Sequence, residues 1–173
     1  MPGHVLVTVG STKFDQLIQA VDTEAFAAAL HERGFDSLLV QRGNGEYIPH
    51  VLLHKGQDEA QLSSGLKIEF VQYLPSMHTY MEAADLIISH AGSGSLFEAL
   101  SLNKPIIAVP NAILMANHQE ELAMHLDRLG HLVSATPETL VQAVRKLDVS
   151  RLKPYPKGSP QGIADAIHRL MGF

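Results

Sequence analysis

A mostly parallel α/β sheet with helices on both faces is predicted by three features of the chain. Short apolar runs of strand length alternate with stretches of helical periodicity, and the run Leu-Ile-Ile at 86–88 is apolar on both sides, as a strand inside a parallel sheet must be. Glycine-rich corners stand where strands would hand over to helices. The 173 residues are enough for one domain with a real core and too few for two ordinary ones. Residues 1–150 are expected to form the sheet domain, and 151–173 a proline-rich segment and tail helix packed on it or on a partner. With 46% hydrophobic and 18% charged residues the chain reads as globular and soluble. Residues 1–9 lack the basic start and long apolar stretch of a signal peptide, and no apolar run spans a bilayer, so a cytosolic chain is expected. Zero cysteines exclude disulfides, thiolate zinc sites and cysteine nucleophiles, and the formal charge of -5 argues against nucleic-acid binding.

The elements follow in order. Residues 4–9 read as the first strand; Gly10-Ser11-Thr12 turns it into a helix over 14–21, with Phe14, Leu17, Ile18 and Val21 on one face. A helix over 24–33 has Asp22 or Thr23 as its cap and ends at Gly34. Strand two is 37–41. Residues 47–65 mix short apolar and polar pieces and read only as a loop or peripheral hairpin. A strand at 66–71 leads through Tyr73-Leu74-Pro75 to Ser76, an N-cap for a helix over 77–84. After the strand at 86–88 and its glycine corner, a helix over 95–102 stops at Asn103, and 105–109 is the next strand. Asn117, with Glu120 three residues on, caps a helix to 129 that Gly130 stops. A short strand at 132–134 precedes a helix from Thr136-Pro137 to about 146. Pro154, Pro156 and Pro160 keep 153–160 extended, and a tail helix over 161–171 carries an apolar stripe. This order is Rossmann-like, and ligands of such sheets sit at the strands' carboxyl ends.

Candidate chemistry concentrates at two corners, Gly10-Ser11-Thr12 and Gly92-Ser93-Gly94-Ser95. Each follows a strand and precedes a helix, whose free N–H groups attract anions, phosphates above all. The alternative is that these glycines only make turns. Neither corner is a Walker loop, and Phe97 stands where the dinucleotide fingerprint needs its third glycine, which disfavours ATP and NAD. Glu98 can close a capping box on Ser95 or accept the two hydroxyls of a ribose. His90, at the strand end beside the corner, can serve an anion as cation or N–H donor, or be a structural group. Asn117 and Gln119 can offer amides to sugar hydroxyls, or belong with His118 to a solvated helix start. No metal site is expected, because His118 and His125 lack a local third ligand. Ser93 lacks the Gly-x-Ser-x-Gly elbow of a serine hydrolase.

The motifs Ser89-His90-Ala91-Gly92-Ser93-Gly94-Ser95 with Glu98-Ala99-Leu100, Lys104-Pro105, Val109-Pro110-Asn111 and Leu114-Met115-x-Asn117-His118-Gln119-x-Glu121-Leu122-Ala123 resemble one known family. Its members are catalytic subunits of the eukaryotic two-subunit UDP-N-acetylglucosamine transferase that adds the second sugar to the dolichol-linked oligosaccharide. The chain is more distantly similar to the donor-binding half of the bacterial peptidoglycan N-acetylglucosaminyltransferase, a GT-B enzyme with a family 28 C-terminal domain. The resemblance implies that Gly10, Ser11 and Thr12 with Gly92, Ser93, Gly94 and Ser95 hold the UDP diphosphate, and Glu98 the ribose. It places backbone near Leu74 at the uracil, and Gln119 with Asn117 or His118 at the N-acetylglucosamine. Ser11 and Ser93 depart from the threonine and alanine of the family, keeping a small side chain. It further implies a membrane-anchored, acceptor-binding subunit on the cytosolic face of the endoplasmic reticulum, a dolichol-linked acceptor reached through it, and no cofactor or metal. The tail helix is expected to join that contact. The general base is unassigned, with His118 a candidate. The alternatives are a non-enzymatic sugar-nucleotide-binding or scaffold subunit and, less compatible with the length, an epimerase or hydrolase.

Overall fold

The computed structural model describes residues 3–112 and 118–156. The cap at Asn117 and the tail helix lie outside the described residues. Among the described residues, β1 (Gly3–Thr8), β2 (Phe35–Gln41), β3 (Glu59–Gln61), β4 (Lys67–Val71), β5 (Leu86–Ser89), β6 (Ile106–Ala108) and β7 (Val133–Ser134) form one sheet in the order β3-β4-β2-β1-β5-β6-β7. All pairings are parallel except that of β3 with β4. The chain builds outward from β1 through β2 and β4, then returns to β5 and builds the other way. The reversal between β1 and β5 is where sheets of this kind leave a crevice at the strands' carboxyl ends.

The two-residue period of the strands sorts the core into two layers. Val5 and Val7 of β1, Leu38 and Val40 of β2 and Ile68 and Phe70 of β4 pack with α1 (Asp15–Val21), α2 (Glu24–Glu32) and α6 (Leu140–Lys146). Leu6, Ile87, Ile106 and Ala108 pack on the other face with α3 (Met77–Ala83), α4 (Ser93–Ser101) and α5 (His118–Arg128). The doubly covered sheet is as expected at β1, β5 and β6. Over β4 and β3 the second face is open: Lys67, Glu69, Glu59 and Gln61 line a groove of about 640 Å³ beside Tyr80 and Ala83. Charged side chains alternate into water there, which is why Lys67 and Glu69 stand exposed between buried Ile68 and Phe70.

Several boundaries move for local reasons. Thr23 is the cap of α2, its hydroxyl accepting from Phe26 N at 3.1 Å. Asp22 is buried and instead accepts the backbone N–H groups of His50, Val51 and Leu52 and the Tyr47 hydroxyl, which pins the stretch that sequence left unplaced. The rest of that stretch contributes β3, joined to β4 through a turn at Gly65, whose φ of 97° suits glycine. Near the other end, Thr136 and Thr139 exchange side-chain and backbone hydrogen bonds of 2.9 and 3.2 Å. That closed turn delays α6 to Leu140, beyond the predicted start at Thr136-Pro137.

Candidate functional site

Thr8 of β1 pairs in register with Ser89 of β5, so the chain leaves both strands side by side. Beyond them lie the two glycine corners, and His90 stands between. A Cβ placed on Gly10 would lie 3.1 Å from His90 Cε1, and one on Gly92 would lie 2.4 Å from His90 Nε2. The two corners are therefore separated by little more than one imidazole ring. Gly10 and Ala91 take left-handed φ values of 62° and 66°, which turn the chain sharply at the rim.

His90 is not a cation awaiting an anion. It is 5% exposed, its backbone N–H donates to Thr8 O at 3.1 Å, and its Nδ1 lies 3.3 Å from the same carbonyl. A carbonyl only accepts, so the proton belongs on Nδ1 and Nε2 turns its lone pair toward Gly92. Burial holds the pKa below the ordinary histidine value, so the ring is neutral at pH 7. A histidine lowered in the folded state binds fewer protons folded than unfolded, so its contribution is complete above the unfolded value, about 6.5, and is lost as pH falls through that window. Thermal denaturation between pH 7.5 and 5 should show stability falling toward acid, with a shallower slope in His90→Gln. An unchanged slope would assign the loss to other histidines.

The second corner opens α4. Gly92 is its N-cap, with Leu96 N donating to Gly92 O at 2.9 Å, so the helix begins at Ser93 and not at the expected 95. The N–H groups of Ser93, Gly94 and Ser95 thus belong to the first turn, where no carbonyl lies four residues back, and they carry the positive end of the helix dipole. Gly92 has an internal reason to be glycine, namely His90. Gly94 has none: a Cβ there would meet nothing within 4 Å.

The first corner is held from below by a residue that sequence reading missed. Gln41, 1% exposed at the end of β2, donates from Nε2 to Gly10 O at 2.6 Å and Gln72 O at 2.9 Å. Its Oε1 accepts from Thr8 Oγ1 at 2.6 Å and Val9 N at 3.2 Å. One amide therefore ties the exits of β1, β2 and β4 together. Asn44 adds N to Thr12 O at 3.0 Å and Nδ2 to Ser11 O at 2.8 Å, and Asn111 Nδ2 donates to Lys13 O at 3.2 Å. Gly43, with φ 61°, leaves no room for a side chain, because its Cβ would lie 2.4 Å from Thr12 O. The signal available in sequence was a polar residue and a Gly-Asn-Gly turn at the end of an apolar strand.

Glu98 lies in the second turn of α4, so the capping box with Ser95 is not formed. With Ser93 the first helical residue, Ser95 is inside the helix, and Glu98 Oε1 lies 3.0 Å from His78 Nδ1 on α3. Leu74, half-buried, follows β4 at the same rim. His118 and Gln119 begin α5, which follows β6 and its loop on that side; His118 is exposed, while Gln119 Oε1 is buried without a hydrogen-bond partner among the described residues. The fold thus brings together Gly10–Thr12 and 92–95, with Glu98 on the same helix. Asn117 lies outside the described residues.

Residues 4–170 match the glycosyltransferase family 28 C-terminal domain. The UDP-N-acetylglucosamine transferase subunit ALG13 of Homo sapiens is 37% identical over 136 residues, which is 79% of this chain and 11% of the human protein. The subunit of the same name from Saccharomyces cerevisiae is 32% identical over 177 residues, covering 88% of each chain. An NMR solution structure of ALG13 superposes with a TM-score of 0.71 at 26% identity, covering 96% of this chain and 94% of that one. Acinetobacter baumannii MurG, at 18% identity, shares the fold with a TM-score of 0.65, covering 100% of this chain and 50% of that one. With a family match over nearly its whole length, and a yeast relative matched over most of both chains, this chain belongs to glycosyltransferase family 28 and, within it, to the ALG13 family of UDP-N-acetylglucosamine transferase subunits.

Proposed function

We propose that this chain binds UDP-N-acetylglucosamine and, with an acceptor-binding subunit anchored in a membrane, transfers N-acetylglucosamine with inversion to N-acetylglucosaminyl-diphosphodolichol. That is the second step of lipid-linked oligosaccharide synthesis on the cytosolic face of the endoplasmic reticulum. The observation that carries the reading is the meeting of two glycine corners at the switch point, where α4 begins at Ser93 directly after the second. Gly94 strengthens it. Glycine in a helix costs up to about 1 kcal/mol relative to alanine, and here the chain's own packing gives no return, so the open space suits an approaching phosphate.

In this reading the backbone N–H groups of residues 93–95 donate to the diphosphate and stabilise the negative charge that grows on departing UDP. Ser11 and Thr12 flank the diphosphate, Leu74 backbone meets the uracil, Glu98 accepts the ribose hydroxyls, and Gln119 with Asn117 or His118 holds the sugar. The chain's own residues supply this stabilisation, and no cofactor is invoked. The word subunit in the relatives' names supports a cleft completed by a second polypeptide. No helix among the described residues is long and apolar enough to cross a membrane. The base that activates the acceptor hydroxyl then comes from the partner or from His118.

Transfer from UDP-N-acetylglucosamine to a lipid-linked acceptor should require both the chain and its membrane subunit. Nucleotide binding without transfer in the reconstituted pair would instead favour a scaffold. Glu98→Ala should raise KM for the donor about 100-fold, since two hydrogen bonds to a charged group at about 1.5 kcal/mol each correspond to roughly two decades. Its thermal transition should stay within a few degrees of wild type. Unaltered kinetics would remove Glu98 from the ribose site.

A further inference from the structure

Glu98 is a half-exposed carboxylate on a side chain with three rotatable torsions, and a cis-diol needs both of its oxygens in one orientation. His78 supplies a constraint. It lies in the first turn of α3, two residues after the Ser76 cap and four after Leu74, so it joins the β4 exit to the flank of α4. Its Nδ1 stands 3.0 Å from Glu98 Oε1, while its Nε2 faces Glu82 Oε1 at 3.5 Å. A carboxylate only accepts, so Nδ1–H donates across the two helices. Glu82 sits one turn along α3, on the far side of the ring.

We propose that His78 is a positioning residue, fixing the Glu98 carboxylate plane so that its remaining lone pairs meet both ribose hydroxyls of a uridine nucleotide. The inference rests on the ribose-binding reading of Glu98. A carboxylate offers about four acceptor sites, so one bond to His78 leaves enough for a diol. As a surface pair the contact contributes little to folding. Its value is in sparing the bound state the ordering of Glu98.

Titration of the full chain with UDP, followed by NMR chemical shifts, tests this. His78→Ala should weaken UDP binding about fivefold, which corresponds to about 1 kcal/mol. His78→Asn, whose amide nitrogen can stand where Nδ1 does, should restore binding to within about twofold, and His78→Gln should not. Adding His78→Ala to Glu98→Ala should cost nothing further, because the residue acts only through that carboxylate. A full loss in the Glu98→Ala background, or wild-type affinity in His78→Ala, would overturn the positioning role while leaving the nucleotide site standing. Failure of the unaltered chain to bind UDP at any concentration would overturn both.

Discussion

Gln41→Glu should cost about 3–5 kcal/mol of folding stability, the penalty expected for a charge buried against the wrong partners, and should abolish UDP binding with it. The substitution keeps volume and shape and changes only polarity. Glu presents two acceptors where Gln41 now aims its Nε2 at Gly10 O and Gln72 O. Not every partner loses equally. Gln72 O keeps the Gly43 N–H at 3.0 Å, and Val9 N keeps Gln41 O at 3.3 Å. Gly10 O loses its side-chain donor and gains a facing carboxylate oxygen, so the strain falls on the first glycine corner. Gln41→Leu separates charge from hydrogen bonding: it strands Gly10 O and the donor side of the Thr8 hydroxyl, whose oxygen keeps the Gly10 N–H, at about 1–3 kcal/mol apiece, without adding charge. Urea denaturation should therefore rank wild type above Gln41→Leu, and Gln41→Leu above Gln41→Glu. Equal midpoints in all three would show that the buried amide does not hold the rim. Against the 5–15 kcal/mol that folds a typical domain, the Glu variant would be marginal.

The same residue shows where sequence reading stops. The all-apolar 86–88 run, the two glycine corners and the stop at Asn103, whose φ is 57°, were visible because each is a local rule applied to adjacent residues. Gln41 looked like the polar end of a strand. Its meaning lies in Gly10 and Gln72, both 31 positions away, which only the parallel register of β1, β2 and β4 brings together. β3 was legible only as the hairpin half of two alternatives, loop or peripheral hairpin: Glu59-Ala60-Gln61 has little strand propensity and is extended because β4 pairs with it. His90 was found by position, but its charge was left open between cation, N–H donor and structural group, since burial is a property of the fold. The Ser95–Glu98 capping box, one of two readings open for Glu98, turned on a helix start two residues earlier, a shift within the usual uncertainty of a helix end.

Gly92→Ala and Gly94→Ala should move stability in opposite directions while both weaken UDP binding. At Gly92 the φ of -63° is open to any residue, so the objection is purely steric. The new methyl would meet His90 Nε2 at 2.4 Å, Cε1 at 2.9 Å and Cδ2 at 3.3 Å, that is, one whole edge of the ring. The ring has nowhere to retreat: Gly10 lies against it, and its Nδ1 is held at Thr8 O. Either the imidazole is expelled or the first turn of α4 shifts, and both separate the corners. Overpacking of this kind costs about 1–3 kcal/mol and should leave no measurable UDP binding. At Gly94 the methyl meets no protein atom within 4 Å, so replacing glycine in the helix should gain up to about 1 kcal/mol. The space it takes lies beside the N–H groups assigned to the diphosphate, and affinity for UDP should drop at least tenfold. A chain stabilised by Gly94→Ala that still binds UDP normally would mean that no phosphate passes over the start of α4, and the donor site would have to be sought elsewhere on the rim.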